Sequence, residues 1–209
     1  MGALLSGAHR VDDAPARGGL GALVCGWHLD PRVTRRGRGA EKGGPPTEPA
    51  DHALGRSRGG WGTKIHLACD GHGIITAFRL TAGQVHECTQ VVPLLEPVEI
   101  AGRRRPAHVL GDKGFSTRAI RAWARARHVQ LVVPERRDQI AQRAHRPGRR
   151  PRFDALLYRA RNVIERAVGW FKHARRLATR SEKLAVCYHA MICLHLTARY
   201  ATKYFSDTT

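Results

Sequence analysis

The chain has 209 residues, enough to bury the core of one domain with little left for a second, and 36 Lys+Arg against 17 Asp+Glu give it a formal net charge of +19. A surplus of that size points to a polyanion partner, nucleic acid first and an anionic membrane surface second, and composition does not separate DNA from RNA. No apolar run approaches the roughly 18 residues that span a bilayer, Arg and Asp interrupt any signal-like core in residues 1–24, and the five cysteines (Cys25, Cys69, Cys88, Cys187, Cys193) lack the even count or C-x-x-C spacing of a disulfide framework or zinc site, so a cytoplasmic protein is expected.

Residues 1–22 are rich in Gly, Ala and Arg without a period, and poor order is expected there. Residues 23–30 read as a strand ending at Asp30, weakened by Gly26. Residues 31–60 form a long basic loop, with Gly-Gly-Pro-Pro and Gly55-Arg-Ser-Arg-Gly-Gly within it. Trp61 to Asp70 alternates, Asp70-Gly71-His72-Gly73 is a turn signal, and Ile74 to Thr81 is a second run, so 61–81 reads as a β-hairpin. Gln84 to Pro97 carries Val91, Val92, Leu94 and Leu95 at helical spacing. His108 to Asp112 is a short strand ending on a charge, and Ser116 to Arg127 is a helix with Ser116 as its N-cap.

Gln130 to Val133 is a last strand, stopped by Pro134. Residues 135–152 are a second basic stretch, after which one helix runs from Asp154 to Arg175 on an apolar face of Leu157, Val163, Ile164, Ala167, Val168 and Phe171. A final helix covers 184–204; its Cys187, His189, Cys193 and His195 read as small apolar residues and partly exposed histidines rather than a metal site. A hairpin followed by alternating strand and helix gives an α/β fold, a mixed sheet flanked by helices.

Two acids invite a chemical reading. Asp112 stands where a strand ends, the place where mixed α/β sheets gather ligands, and it either holds a hard divalent cation or only caps the turn that follows. Glu165 shares a helical face with Tyr158, Arg161 and Lys172; that face is either functional or a solvated one with an Arg161–Glu165 pair at i,i+4.

Tyr158 to Lys172 matches, at all four positions, the Y-x(2)-R-x(3)-E-x(6)-K signature of DDE transposases encoded by bacterial insertion sequences, and the chain resembles that family. Three upstream blocks are similar to the family's in order: Gly55 to Ala68, Leu80 to His86, and Val109 to Phe115, so the similarity covers residues 48 to 200. The resemblance implies a ribonuclease-H-like sheet, and a triad of two Asp and one Glu in which Asp112 is the second acid and Glu165 the third. Asp30 is the candidate first acid, ahead of Asp12 and Asp13, although Pro31-Arg32 departs from the small residue and Thr that follow it in the family.

Such a triad holds two Mg²⁺ ions about 3.5–4 Å apart for in-line phosphodiester displacement, with Mn²⁺ as a substitute. The resemblance further implies that Tyr158, Arg161, Lys172, Arg56, Arg58, Lys64 and Lys113 contact DNA, Arg161 and Lys172 through phosphate or by orienting Glu165. The division it suggests is an N-terminal basic, poorly ordered or degenerate segment at 1–47, read as an out-of-frame or truncated start, and a catalytic domain at 48–204. The implied function is cleavage and strand transfer at insertion-sequence ends, on double-stranded DNA in the nucleoid, by a chain that dimerises on synapsis; the alternative is an inactive DNA-binding remnant. An RNA-binding protein would need stacking aromatics on a sheet face, and the 6% aromatic content speaks against it.

Overall fold

A computed structural model describes residues 22–26 (backbone only), 52–98, 105–145 and 150–205. The elements in chain order are β1 (Ala22–Gly26), β2 (Gly55–Ser57), β3 (Gly60–Cys69), β4 (Ile75–Ala82), α1 (Glu87–Leu95), β5 (His108–Leu110), a 3₁₀ turn (Lys113–Phe115), α2 (Arg118–Ala126), β6 (Gln130–Val132), α3 (Arg137–Ala144), α4 (Ala155–Arg159), α5 (Asn162–His173), α6 (Arg175–Ala178) and α7 (Ala185–Phe205). The fold is mixed α/β, as the order of sequence signals implies.

The sheet runs β4-β3-β1-β5-β6, with β2 paired to the first residues of β3. Strand β3 is antiparallel to both β4 and β1, whereas β1, β5 and β6 are parallel. The β3–β4 hairpin closes because the Asp70 carboxylate accepts the backbone N–H groups of His72 and Ile74, both at 2.9 Å, fixing the turn that Asp-Gly-His-Gly announces.

Alternate residues of each strand feed opposite cores. Ile65, Leu67, Leu110 and Val132 meet Ile164, Val168 and Phe171 of α5 and Tyr188, Ile192 and Leu196 of α7. Ala68 and Val109 meet Val91, Leu94 and Leu95 of α1, Phe115, and Ile120 and Ala124 of α2. With both faces covered, the central strands are apolar on both sides, which is why His108-Val-Leu reads as buried.

Three expectations need correction. The N-cap of α2 is Thr117, whose hydroxyl accepts the Ile120 N–H at 3.2 Å; Ser116 is fully buried and donates to Gln139 Oε1 at 2.6 Å instead. The basic stretch after Pro134 contains a helix, α3, with no buried residue, held by Gln139 against the Ser116 backbone carbonyl. The single helix expected from Asp154 to Arg175 is broken: α4 ends at Arg159, and the N–H groups of Ala160, Arg161, Val163 and Ile164 each bond three residues back. That tighter, 3₁₀-type turn separates Tyr158 from the helix that carries Glu165. Strand β1 is described to Gly26, and Asp30, like Asp12 and Asp13, lies outside the described residues.

One arginine braces the frame. Arg180 is fully buried; its Nε donates to the Glu182 carbonyl at 3.0 Å and its Nη2 to that of Lys183 at 3.1 Å. Nη1 donates to Thr63 Oγ1 and, at 3.4 Å, to the Ala53 carbonyl, which also accepts the Thr63 hydroxyl at 2.6 Å. Its guanidinium lies 5.2 Å from the Tyr188 ring centre. Burial pushes the Tyr188 phenol pKa well above its ordinary value, and the hydroxyl donates to the Leu177 carbonyl at 2.6 Å.

Candidate active site

Asp112 follows β5 by two residues and begins the 3₁₀ turn, with its backbone extended at φ −75°, ψ 174°. Its Oδ1 accepts the Gly114 N–H at 2.8 Å. A Cβ at residue 114 would stand 2.9 Å from that oxygen, so a side chain there would push the carboxylate out of its present position. The second oxygen, Oδ2, has no hydrogen-bond partner among the described residues, and the side chain is half-buried. The expected cap is therefore real, and it leaves half of the carboxylate available.

Glu165 occupies the first turn of α5, beside the buried Ile164. Ile164 and Leu110, the buried neighbours of the two acids in sequence, belong to the same core cluster. Glu165 is 52% exposed, and its Oε1 accepts from Arg161 Nη2. The Arg161 guanidinium stands 5.6 Å from the Tyr158 ring centre, and Tyr158 is paired with Phe153 at 5.3 Å between ring centres. Ring, cation and carboxylate thus form a chain across the break between α4 and α5. Phe153 was not singled out from sequence; an aromatic five residues before Tyr158 is a weak signal once a continuous helix is assumed.

The remaining candidates divide. Arg56, Arg58 and Lys113 are exposed, as phosphate contacts require, and Lys172 is exposed in the last turn of α5. Lys64 is engaged internally: its Nζ donates to the Val85 carbonyl at 2.8 Å and lies 3.8 Å from Glu87 Oε1, with the side chain 11% exposed. It ties β3 to the start of α1. No group of three His, Cys, Asp or Glu side chains able to hold a metal occurs among the described residues, the C-terminal histidines and cysteines included. His195 instead stacks on Trp170, 4.7 Å between ring centres, and His189 lies against Phe78 at 4.4 Å.

Comparison with known proteins bears on this arrangement. Residues 35–199 match the transposase DDE domain family. Over 168 residues the chain is 31% identical to a protein of Burkholderia cepacia named as a transposase for insertion sequence element IS402, covering 78% of this chain and 70% of that protein. Over 134 residues it is 27% identical to one of Brucella ovis named as a transposase for insertion sequence element IS6501, covering 63% of this chain and 92% of that protein. No solved structure matches. The match spans most of the chain and takes in Asp112, Glu165 and the whole Tyr158–Lys172 signature, and the chain belongs to the DDE transposase family of insertion sequences.

Proposed function

We propose that this chain cuts and rejoins DNA strands at the ends of an insertion sequence, with Asp112, Glu165 and Asp30 as its three acids on a ribonuclease-H-like core spanning 48–204. The observation that carries the reading is topological. Three antiparallel strands are followed by two parallel ones, and Asp112 leaves β5 immediately beside β1, the strand that leads toward Asp30. In such sheets the carboxyl ends of the strands are where ligands bind.

The acids suit a divalent cation in kind. Carboxylate oxygens are the hard donors that Mg²⁺ prefers, Asp112 keeps one oxygen open, and Glu165 is reachable from solvent. Asp112 and Glu165 would hold the ion, and a bound Mg²⁺ or Mn²⁺ supplies Lewis-acid stabilisation of the charge that builds on the phosphoryl oxygens. The chain's own part is positioning. Gly114 N–H fixes the Asp112 carboxylate, so its open oxygen is presented without reorganisation. Arg161, held on the Tyr158 ring, neutralises Glu165 in the free protein and carries the planar fork that grips a phosphate when DNA arrives. Lys172, Arg56, Arg58 and Lys113 bind the phosphate backbone, Tyr158 presents ring and hydroxyl to the strand, and two chains synapse two ends.

The test is a cleavage and binding assay on a duplex carrying the element's end, with Mg²⁺. Asp112→Ala and Glu165→Ala are expected to abolish cutting and keep binding, and Asp30→Ala to behave alike. Binding without cutting by the unaltered chain would instead support an inactive remnant. Cutting that survives Asp112→Ala would overturn the assignment.

A further inference from the structure

The strand register places a second DNA-contacting element. Cys25 of β1 is level with Leu67 of β3, and Leu23 is level with Leu110 of β5. Asp112, two residues beyond Leu110, therefore stands at about the level of Leu67, on the edge where β1 and β5 end. Strand β3 runs the opposite way and continues past that edge to Gly60. Trp61 lies six residues beyond Leu67, which at roughly 3.3 Å per residue is about 20 Å.

What stands out there is the β2–β3 hairpin. Arg56 and Trp61 are directly paired across it, so their side chains share one face, and both are exposed, Trp61 by 41%. Arg58, also exposed, occupies the two-residue turn. The turn is stiff: Ser57 Oγ accepts the Gly59 N–H at 3.2 Å and donates to the Gly60 carbonyl at 3.1 Å, and Gly60 takes φ +114°, a conformation that side chains other than glycine rarely adopt. The root is stiffer. Thr63 and Ala53 are clamped by buried Arg180, and the Gly83 N–H donates to the Gly62 carbonyl at 3.1 Å. A rigid arm that carries two cations and an exposed indole away from the core, on a chain of net charge +19, is built for a polyanion.

We infer that the β2–β3 hairpin is a fixed arm that grips the transposon-end duplex about six base pairs from the scissile phosphate, since 20 Å spans about six steps of 3.4 Å. Arg56 and Arg58 hold phosphates there, and Trp61 lies against the intervening deoxyribose. The inference rests on the proposed DNA-cleaving role and adds a second contact point and its distance.

The test places a photo-crosslinking phenylalanine analogue at position 61 and maps its crosslinks on a duplex carrying the element's end, without divalent metal. Crosslinks are expected about five to seven base pairs from the bond that the unaltered chain cuts with Mg²⁺. In parallel, the double variant Arg56→Gln/Arg58→Gln is expected to lower the slope of log affinity against log salt by about 1.8, the loss of two phosphate contacts. A chain that binds and cuts, yet crosslinks only beside the scissile bond or not at all, or keeps its full salt slope in the double variant, overturns the arm and leaves the catalytic reading intact. A chain that binds no duplex overturns both.

Discussion

The anchor under the hairpin and the edge that carries the acids use charge in opposite ways. Arg180 is sealed in the interior, and its guanidinium is met by carbonyl and hydroxyl oxygens from four residues and by the face of Tyr188. Asp112 and Glu165 stay in reach of water, Asp112 with one oxygen unengaged and Glu165 held by a cation that is itself partly exposed. Buried charge that is fully hydrogen-bonded fixes geometry, because every escape leaves polar groups unpaired. Charge kept at the surface with spare lone pairs retains capacity to bind. The contrast makes a sharp division: substitutions at the anchor should cost stability, and substitutions at the edge should cost chemistry.

The largest expected effect is at the edge. Asp112→Ala or Glu165→Ala is expected to slow DNA cleavage by on the order of 10²–10³-fold or more, the scale seen when one preorganised electrostatic group is removed. The urea midpoint should hardly move for Glu165→Ala, whose side chain lies largely in solvent, and should fall for Asp112→Ala by no more than the roughly 1 kcal/mol of a lost cap. A large stability loss on Asp112→Ala would break the division.

Next comes the anchor. Arg180→Ala takes the guanidinium away from the Thr63 hydroxyl and from the carbonyls of Ala53, Glu182 and Lys183 and leaves a buried cavity, and is expected to cost about 2–5 kcal/mol of folding stability in urea unfolding with an unchanged slope. Tyr188→Phe keeps the ring against Arg180 but orphans the Leu177 carbonyl, and should cost about 1–2 kcal/mol. The smallest stability change is expected for Arg161→Ala, a few tenths of a kcal/mol for an exposed i,i+4 pair, together with a clear loss of DNA affinity. If its stability loss matched that of Tyr188→Phe, Arg161 would belong to the frame rather than to the edge.

How much of this could be read from sequence depended on how local the cause was. The β3–β4 hairpin follows from period-two alternation and a turn whose Asp caps its own backbone, so Trp61 to Thr81 was legible to within a residue or two. Asp112 and Glu165 stood out because short spacings fixed them on a strand end and a helix. The break at Ala160–Arg161 was not legible: no Pro or Gly marks it, and the apolar spacing continues through it. Helix α3 was hidden because it buries nothing, so its Arg, Gln and Ala show no apolar face, and Gln139 ties it to Ser116, 23 residues away. Arg180 was invisible for another reason. In a chain with 36 basic residues nothing local marks Arg180 as buried; two of its partners, Ala53 and Thr63, lie more than a hundred residues away.

The central claim is that Asp112 and Glu165 serve one cation. Titration of Mn²⁺ into the chain bound to element-end duplex, followed by electron paramagnetic resonance, tests it without relying on turnover. The account expects a bound Mn²⁺ population that is lost to a similar degree in Asp112→Ala and in Glu165→Ala, because each variant removes a ligand of the same ion. Mn²⁺ binding that disappears in Asp112→Ala but is untouched in Glu165→Ala would contradict it, leaving Glu165 as no more than the partner of Arg161.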